Sequence, residues 1–431
     1  MWRPLTYAHA YGMSTPTFIK PHFRLPGGRP FHLLLTSLAV SSCGDWLYNV
    51  ALLAFVYDRT RSAAWLAATT AARVAPLVVL GPIGGVLADR WDRRRLIIAS
   101  DLSRAVAMIA LAIVAATSMP VALAALLAAL STAAGVVQPP SVAACTPRLV
   151  VADELQRANA IRAAIGQGSI VAGPALGAVL LGLSSPAAVI ALNAATFLAS
   201  AVAITAIGRS PAFVPSRENP GSLRLGQELR DGALALREAP AAVRLVAADM
   251  LCSATYGLLT VTLVLVSMRV GTGTGGYGLL LGMFGIGGVV GATLVGKLDA
   301  PALWRRMLLV ALGLVAVAVA ALGLVHSLVA AIVLSVAGGG GMIVAEVLSE
   351  TALAQMLDDA VLARAYGLVL PASVSGIVIG SLVAGPLVAW VGATDSFLVA
   401  GLGLALASAL LLRRPLDDSG APGVAVPAPA M

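Results

Sequence analysis

Twelve runs of about twenty apolar residues dominate this chain and leave it few ways to fold. A helix needs roughly 20 such residues, rising 1.5 Å each, to cross the hydrocarbon of a bilayer. Splitting the sequence at charges and turn signals places the runs near 33–57, 63–88, 96–116, 121–143, 160–183, 187–207, 244–268, 277–298, 305–325, 328–348, 367–391 and 395–412. The breaks are sharp at 57–61, 118–120 and 184–186. Composition agrees, with 11% of the 431 residues charged, 59% apolar and a mean hydropathy of +0.93. So little charge could not cover a soluble enzyme of this length, and so much apolar side chain excludes disorder. The expected fold class is all-α: a polytopic membrane protein of twelve transmembrane helices in two six-helix bundles.

The longest polar interval falls between the sixth and seventh spans and sets the domain plan. A disordered basic head (1–32) precedes an N-terminal bundle (33–208), a central loop (209–243), a C-terminal bundle (244–412) and a disordered tail (413–431). No apolar segment with a cleavage site precedes span 1, so no cleaved signal is expected, and Met13 offers a second possible start.

Lys and Arg set orientation, because cytoplasmic connections carry them in excess. With the N-terminus in the cytoplasm, 24 of the 28 fall on that side. They include Arg90, Arg93, Arg94, Arg95 and Arg104 after span 2, and Arg148, Arg157 and Arg162 around the start of span 5. Only Arg59, Arg61 and Arg269 lie outside, and Arg73 is within a span. Both termini are therefore expected in the cytoplasm. Topology and anionic lipid account for the net charge of +8, so no nucleic-acid partner is expected.

The halves read as repeats. Cys43 and Cys252 stand 209 apart, Asp89 and Asp299 stand 210 apart, and Gly173-Pro174 and Gly385-Pro386 stand 212 apart, each pair at matching spans. Such parallel repeats relate two bundles by an axis along the membrane normal.

The most informative motif closes span 2: Gly84-Gly85-Val86-Leu87-Ala88-Asp89-Arg90-Trp91-Asp92-Arg93-Arg94-Arg95. Its glycines permit close helix contact, and Asp89 leaves the membrane where a carboxylate can meet a helix N-terminus. Span 5 carries Gly166-Gln167-Gly168-Ser169-Ile170-Val171-Ala172-Gly173-Pro174-Ala175-Leu176-Gly177, in which Gly168, Gly173 and Gly177 offer a smooth packing face and Pro174 removes a donor. Further stretches are 44–52, Arg73-Val74-Ala75-Pro76, Asp101-Leu102-Ser103-Arg104-Ala105 and 155–160.

Together these resemble the major facilitator superfamily, most nearly its macrolide-efflux and enterobactin-exporter-like branch. The resemblance covers about 35–410 and is densest in the first half; Lys297-Leu298-Asp299 with Arg305-Arg306 is a degenerate second copy of the span 2 motif. Asp92 stands where the family commonly has Gly. The resemblance makes Gly85, Asp89, Arg90, Arg93, Arg94, Asp101 and Arg104 a cytoplasmic gate motif. It makes Gly168, Gly173, Pro174 and Gly177 an antiporter-like helix motif, although the second Gly-Pro also fits a plain repeat feature. It implies a bacterial inner-membrane transporter working by alternating access. Export of an amphipathic small molecule (a drug, antibiotic or siderophore) would be driven by protons, with no cofactor, in a monomer surrounded by membrane lipid. An uptake permease or a non-transporting receptor or scaffold on the same fold is the alternative.

Ionisable groups at mid-membrane cost roughly 2.5–3.5 kcal/mol or more and have a paired or functional role. Asp45 and Arg73 come out within about 6 Å of each other in depth at 1.5 Å per residue, so a pair between spans 1 and 2 is feasible. Whether Asp45 titrates or only anchors such a pair stays open. Asp45, Arg73, Asn49 and Glu346 are the proton or substrate candidates. Asp249, Glu346 and Glu350 fall near the cytoplasmic edge, as gate or substrate groups, and Asn193 and Gln138 either line a cavity or join helices. The glycine run 338–341 reads as a flexing point or as packing. His9, His22, His32 and His326 lie at or beyond the edges, and Cys43, Cys145 and Cys252 lie in apolar runs, so no metal site or disulfide framework is expected. There is no phosphate-binding loop and no Ser–His–Asp set, and no enzyme activity is expected.

Overall fold

The computed structural model describes residues 25–215, 240–295, 303–356 and 359–413, with side chains except those of 355–368 and 370. The head to residue 24, most of the central loop (216–239), Lys297 and Asp299, and the tail from 414 lie outside the described residues. Among the described residues the regular structure is helical, with no strand.

Seven helices build the first half: α1 (Arg29–Thr60), α2 (Ala63–Arg90), α3 (Arg93–Ala116), α4 (Val121–Gly135), α5 (Gln138–Leu149), α6 (Leu155–Leu183) and α7 (Pro186–Ala206). Five follow: α8 (Pro240–Arg269), α9 (Gly276–Val295), α10 (Trp304–Leu322), α11 (Leu328–Met356) and α12 (Asp359–Leu411). The chain ends each half on the side where α1 begins, here the terminal face; the opposite side is the far face.

Among the described residues eleven helical segments are long and apolar enough to cross a membrane, α4 and α5 counting as one, because expected spans 11 and 12 form the single helix α12. Its hydrogen-bonded path is interrupted at Gly392, with φ 85° and ψ 167°, a conformation open to glycine. Residues 359–391 climb beside α8, where Ser381 Oγ donates to the Gly257 carbonyl at 3.2 Å. Residues 393–411 descend along α10, from Gly323 beside Thr394 to Arg305, which donates to the Leu412 carbonyl at 3.2 Å. The last helix is thus a hairpin with two passes. A second difference is in span 4, expected as one rod over 121–143. Pro139 and Pro140 lack N–H groups and stand at the start of α5, so the rod breaks at Val136–Val137 and resumes to Leu149. Gly84 makes room for that break, since a Cβ there would sit 2.3 Å from the Val136 carbonyl oxygen.

Two pairs make most of the contact between the halves: α6 with α9, and α2 with the first leg of α12. By the repeat offsets these are swapped copies of one contact, span 5 on span 8 and span 11 on span 2. Each repeated Gly-Pro pair belongs to one of them. A Cβ on Gly278 would lie 2.6 Å from the Pro174 carbonyl, and one on Gly385 would lie 2.9 Å from Ala64 Cα. Both contacts sit in the far half of the helices, and Thr274 Oγ1 donates to Asp58 Oδ2 at 3.0 Å at the far rim. On the α6 side the terminal half is bare, because a Cβ at Gly166 or Gly168 would meet nothing within 4 Å. The smooth face expected of Gly168, Gly173 and Gly177 is therefore partial: Gly173 and Gly177 pack on α1 at Trp46 and Leu47, and Gly168 does not.

Candidate functional site

The bare half of α6 borders a cavity of about 620 Å³ inside the first half of the chain. α1 lines it with Asp45, Trp46 and Tyr48, α2 with Arg73 and Leu77, α3 with Arg104, α5 with Gln138 and Pro139, and α6 with Asn159 and Arg162.

Asp45 pairs with Arg104, not with Arg73. Arg104 Nη2 lies 2.6 Å from both carboxylate oxygens of Asp45. Depth alone made Arg73 look suitable, but facing decides the partner. Arg104 lies 11 residues into α3, about 17 Å along the helix at 1.5 Å per residue, so it belongs to the bundle interior and not to the edge where the positive-inside count placed it. Its guanidinium lies over the Phe197 ring, 4.0 Å from the centroid, and Nη1 donates to Gln138 Oε1 at 3.1 Å. A planar cation held by a carboxylate, an amide and a ring face is fixed on three sides.

The network continues inward. Gln138 Nε2 donates to Asp101 Oδ1 at 2.7 Å, and Ser200 Oγ donates to Asp101 Oδ2 at 2.5 Å. Ser200 also shares a hydrogen bond of 2.6 Å with Ser37. Asp101, expected in the cytoplasmic gate motif, is fully buried (0% exposed). The bonds run from Asp45 in α1 through Arg104, Gln138 and Asp101 to Ser200 in α7 and return to α1 at Ser37. A buried carboxylate on two good donors is satisfied without a direct ion pair.

The rest of the span 2–3 motif stays at the terminal face. Asp92 caps α3 by accepting from the Arg95 N–H at 2.9 Å, so Asp in place of Gly brings a cap to the turn. Arg93 Nε donates to the Ala88 carbonyl at 2.9 Å, and Arg94 reaches the last carbonyls of α7, at Ile204 (3.2 Å) and Thr205 (2.8 Å). Arg90 is exposed, and the Asp89 side chain is 60% exposed, 3.7 Å from Arg93. Gly84 takes the close contact expected of the glycine pair; Gly85 meets nothing within 4 Å.

Above the cavity, towards the far face, polar groups of both halves meet. Arg73 lies beside Tyr48 and within electrostatic reach of Tyr256 in α8 and Tyr277 in α9. Asn49, 1% exposed, is next to Tyr277. The Asn49 amide atoms, Arg73 Nε and both tyrosine hydroxyls are buried without a hydrogen-bond partner. Asn193 is no cavity residue: it accepts from Thr196 Oγ1 at 2.9 Å and packs where Gly44 leaves room on α1.

Glu346 joins none of this and sits in the second half near Asp249 and Glu350. Asp249 is 8% exposed and accepts from the Ser373 hydroxyl of α12. These acids lie deeper than the expected edge, since α8 begins at Pro240 and α11 runs to Met356. The glycine run 338–341 packs tightly, Gly339 on the Phe284 carbonyl and Gly341 on that of Ala311. Among the described residues no cluster of His, Cys, Asp and Glu could hold a metal ion. Sequence reasoning missed Arg162 as a lining group and Arg104 as the partner of Asp45. The signal was there, because Ile97, Asp101, Arg104, Met108 and Leu111 form one buried helical stripe.

Comparison with known proteins places this architecture. The nucleoside transporter NupG shares the fold, with a TM-score of 0.74 at 12% identity over 90% of this chain and 100% of that one. The MFS-type transporter YfiS of Bacillus subtilis (strain 168), itself uncharacterised, is 28% identical over 254 residues, 58% of this chain and 56% of that protein. Macrolide efflux protein A of Streptococcus pyogenes is 27% identical over 273 residues, 59% of this chain and 66% of that protein. The matched stretches thus span between half and two thirds of these two relatives. A family model described as transmembrane secretion effector matches residues 28–426, nearly the whole chain. With that match over a multi-pass helical fold, the chain belongs to the transmembrane secretion effector family, a family of the major facilitator type.

Proposed function

We propose that the protein exports an amphipathic small molecule across the bacterial inner membrane by alternating access, coupled to inward proton flow, with Asp45 as the proton-exchanging group. The observation that carries this reading is the position of the Asp45–Arg104 pair in the wall of a cavity of about 620 Å³, beneath a far side shut by the α6–α9 and α2–α12 contacts. A carboxylate bound to a guanidinium can exchange a proton only when that bond is loosened, and a change in the packing of α1 against α3 would loosen it. Protonation and helix movement are thereby tied together. The Lys/Arg bias puts the terminal face and both termini in the cytoplasm, which makes this conformation inward-open. Macrolide export by a relative supports the outward direction.

The test is dye and antibiotic flux in proteoliposomes under an imposed pH gradient, with and without an uncoupler. Expulsion that needs the gradient and disappears in Asp45→Asn, with the variant still folded, supports proton-coupled export. Gradient-independent flux, or full flux in Asp45→Asn, removes Asp45 from the coupling. Accumulation in the opposite direction identifies an uptake permease, and ligand binding without flux identifies a receptor.

A further inference from the structure

The cavity wall carries three arginines and one aspartate, and they are not equivalent. Arg104 has its charge matched, because both oxygens of Asp45 lie 2.6 Å from its Nη2. The same bonds occupy Asp45, so a cationic ligand would find no free carboxylate among the described lining residues. Arg73 and Arg162 have no carboxylate within 4.0 Å among the described residues. Among the described residues Arg162 donates only to the neutral Asn159 amide at 3.2 Å; the Nε of all three arginines is buried without a partner, so what sets Arg73 and Arg162 apart is the missing carboxylate. A guanidinium left uncompensated inside a membrane protein costs energy that burial of apolar surface does not return. The two are also staggered. Arg162 lies 7 residues into α6 and Arg73 lies 17 residues before the end of α2, so their depths from the terminal face are about 10 and 25 Å at 1.5 Å per residue. An anion entering from that face meets Arg162 first and Arg73 at the closed end, a path along which low-dielectric walls concentrate the field.

We infer that the transported molecule carries an acidic group (carboxylate, phosphate or sulfonate) that is seated on Arg73, while its apolar part lies against Trp46 and Leu77. This rests on the transport reading above but concerns binding, so it is tested separately.

The probe is 11-(dansylamino)undecanoic acid, with its methyl ester as the uncharged twin, titrated by fluorescence against purified protein in phosphatidylcholine nanodiscs. A second pair, an aryl sulfonate and its sulfonamide, covers a different shape. A charge-assisted hydrogen bond to the half-buried guanidinium of Arg73 predicts that the acid binds about ten- to a hundredfold more tightly than the ester. Arg73→Gln should reduce that preference to threefold or less, and Arg73→Lys, which keeps the charge and controls for folding, should retain most of it. Equal affinity within both pairs overturns the inference, as does a preference that survives in Arg73→Gln. Displacement of the probe by phosphatidylglycerol in the disc assigns the anion to a lipid headgroup and overturns the substrate assignment. Charge-selective binding without flux would refute transport and leave the site standing. Flux of neutral and cationic dyes without acid preference would do the reverse.

Discussion

Gly278→Ala adds one carbon where the far side of the molecule has no room for it. The new Cβ would lie 2.6 Å from the Pro174 carbonyl oxygen, 2.8 Å from Val50 Cγ1 and 3.0 Å from Ala178 Cβ. Carbon–oxygen contacts settle near about 3.3 Å, so α9 must move from α6 by roughly 0.7 Å. Two of the three atoms are carbonyl backbone or a β-branched side chain, which yield little by rotation. Overpacking of this kind costs about 1–3 kcal/mol. The cost falls only on the conformation in which these helices touch, so the population with the far side open should rise about 5- to 150-fold. Spin labels at Ser184→Cys and Thr274→Cys, at the far ends of α6 and α9 in a cysteine-free background, should show a new longer distance in Gly278→Ala. Gly182→Ala is the control, since a Cβ there would meet nothing within 4 Å. Identical distance distributions in wild type and Gly278→Ala would refute the argument that this contact closes the far side.

Asp45→Asn and Arg104→Gln should each lower the melting temperature of the detergent-purified protein, and the double variant should lose less than the sum, with a coupling of about 1–3 kcal/mol; strict additivity would deny the pair. Asp101→Asn keeps the shape but turns an NH2 group towards donors from Gln138 or Ser200, and should cost about 1–3 kcal/mol in thermal unfolding, where an unchanged midpoint would contradict the assigned hydrogen bonds. The Asp89 side chain is 60% exposed and, among the described residues, pairs only with Arg93, so Asp89→Asn should act on the opposite conformation, where its carboxylate can meet the α12 N-terminus. Distances between labels on the terminal ends of α2 and α12 should shift towards the present state by a factor of about 2 to 30, and unchanged distances would leave Asp89 as a topological anchor.

Much of the fold was legible because length and hydropathy report directly on membrane crossing, and the repeat offsets tied each Gly-Pro pair to an equivalent helix. The turn between the last two passes fell where it was expected, between 391 and 395, where Gly392 and the charge of Asp395 interrupt the apolar run. What escaped depended on facing or on proline within an apolar run. The break in span 4 was signalled by Pro139-Pro140, but an apolar count does not register proline. Asp45 was readable as an anomaly, yet its partner was misassigned because depth fixes one coordinate of a helix and the angle around the axis fixes the other. Arg104 was counted as a loop charge for the same reason, although the stripe from Ile97 to Leu111 held both coordinates. Tyr256 and Tyr277 gave no signal, since amphipathic aromatics in apolar helices are common and only the tertiary fold brings them to Arg73 and Asn49.

The two closures of this molecule answer to different solvents. The far seam is backbone against backbone at Gly278 and Gly385, with one rim hydrogen bond among the described residues, from Thr274 to Asp58, and such dispersion contacts are nearly blind to dissolved salt. The open mouth is guarded by Arg162, and its pull on an anion reaches only as far as the Debye length, about 8 Å at physiological ionic strength. Potassium chloride is therefore a handle on one end only: raising it should slow capture at the mouth while leaving the opening equilibrium of the seam where it was.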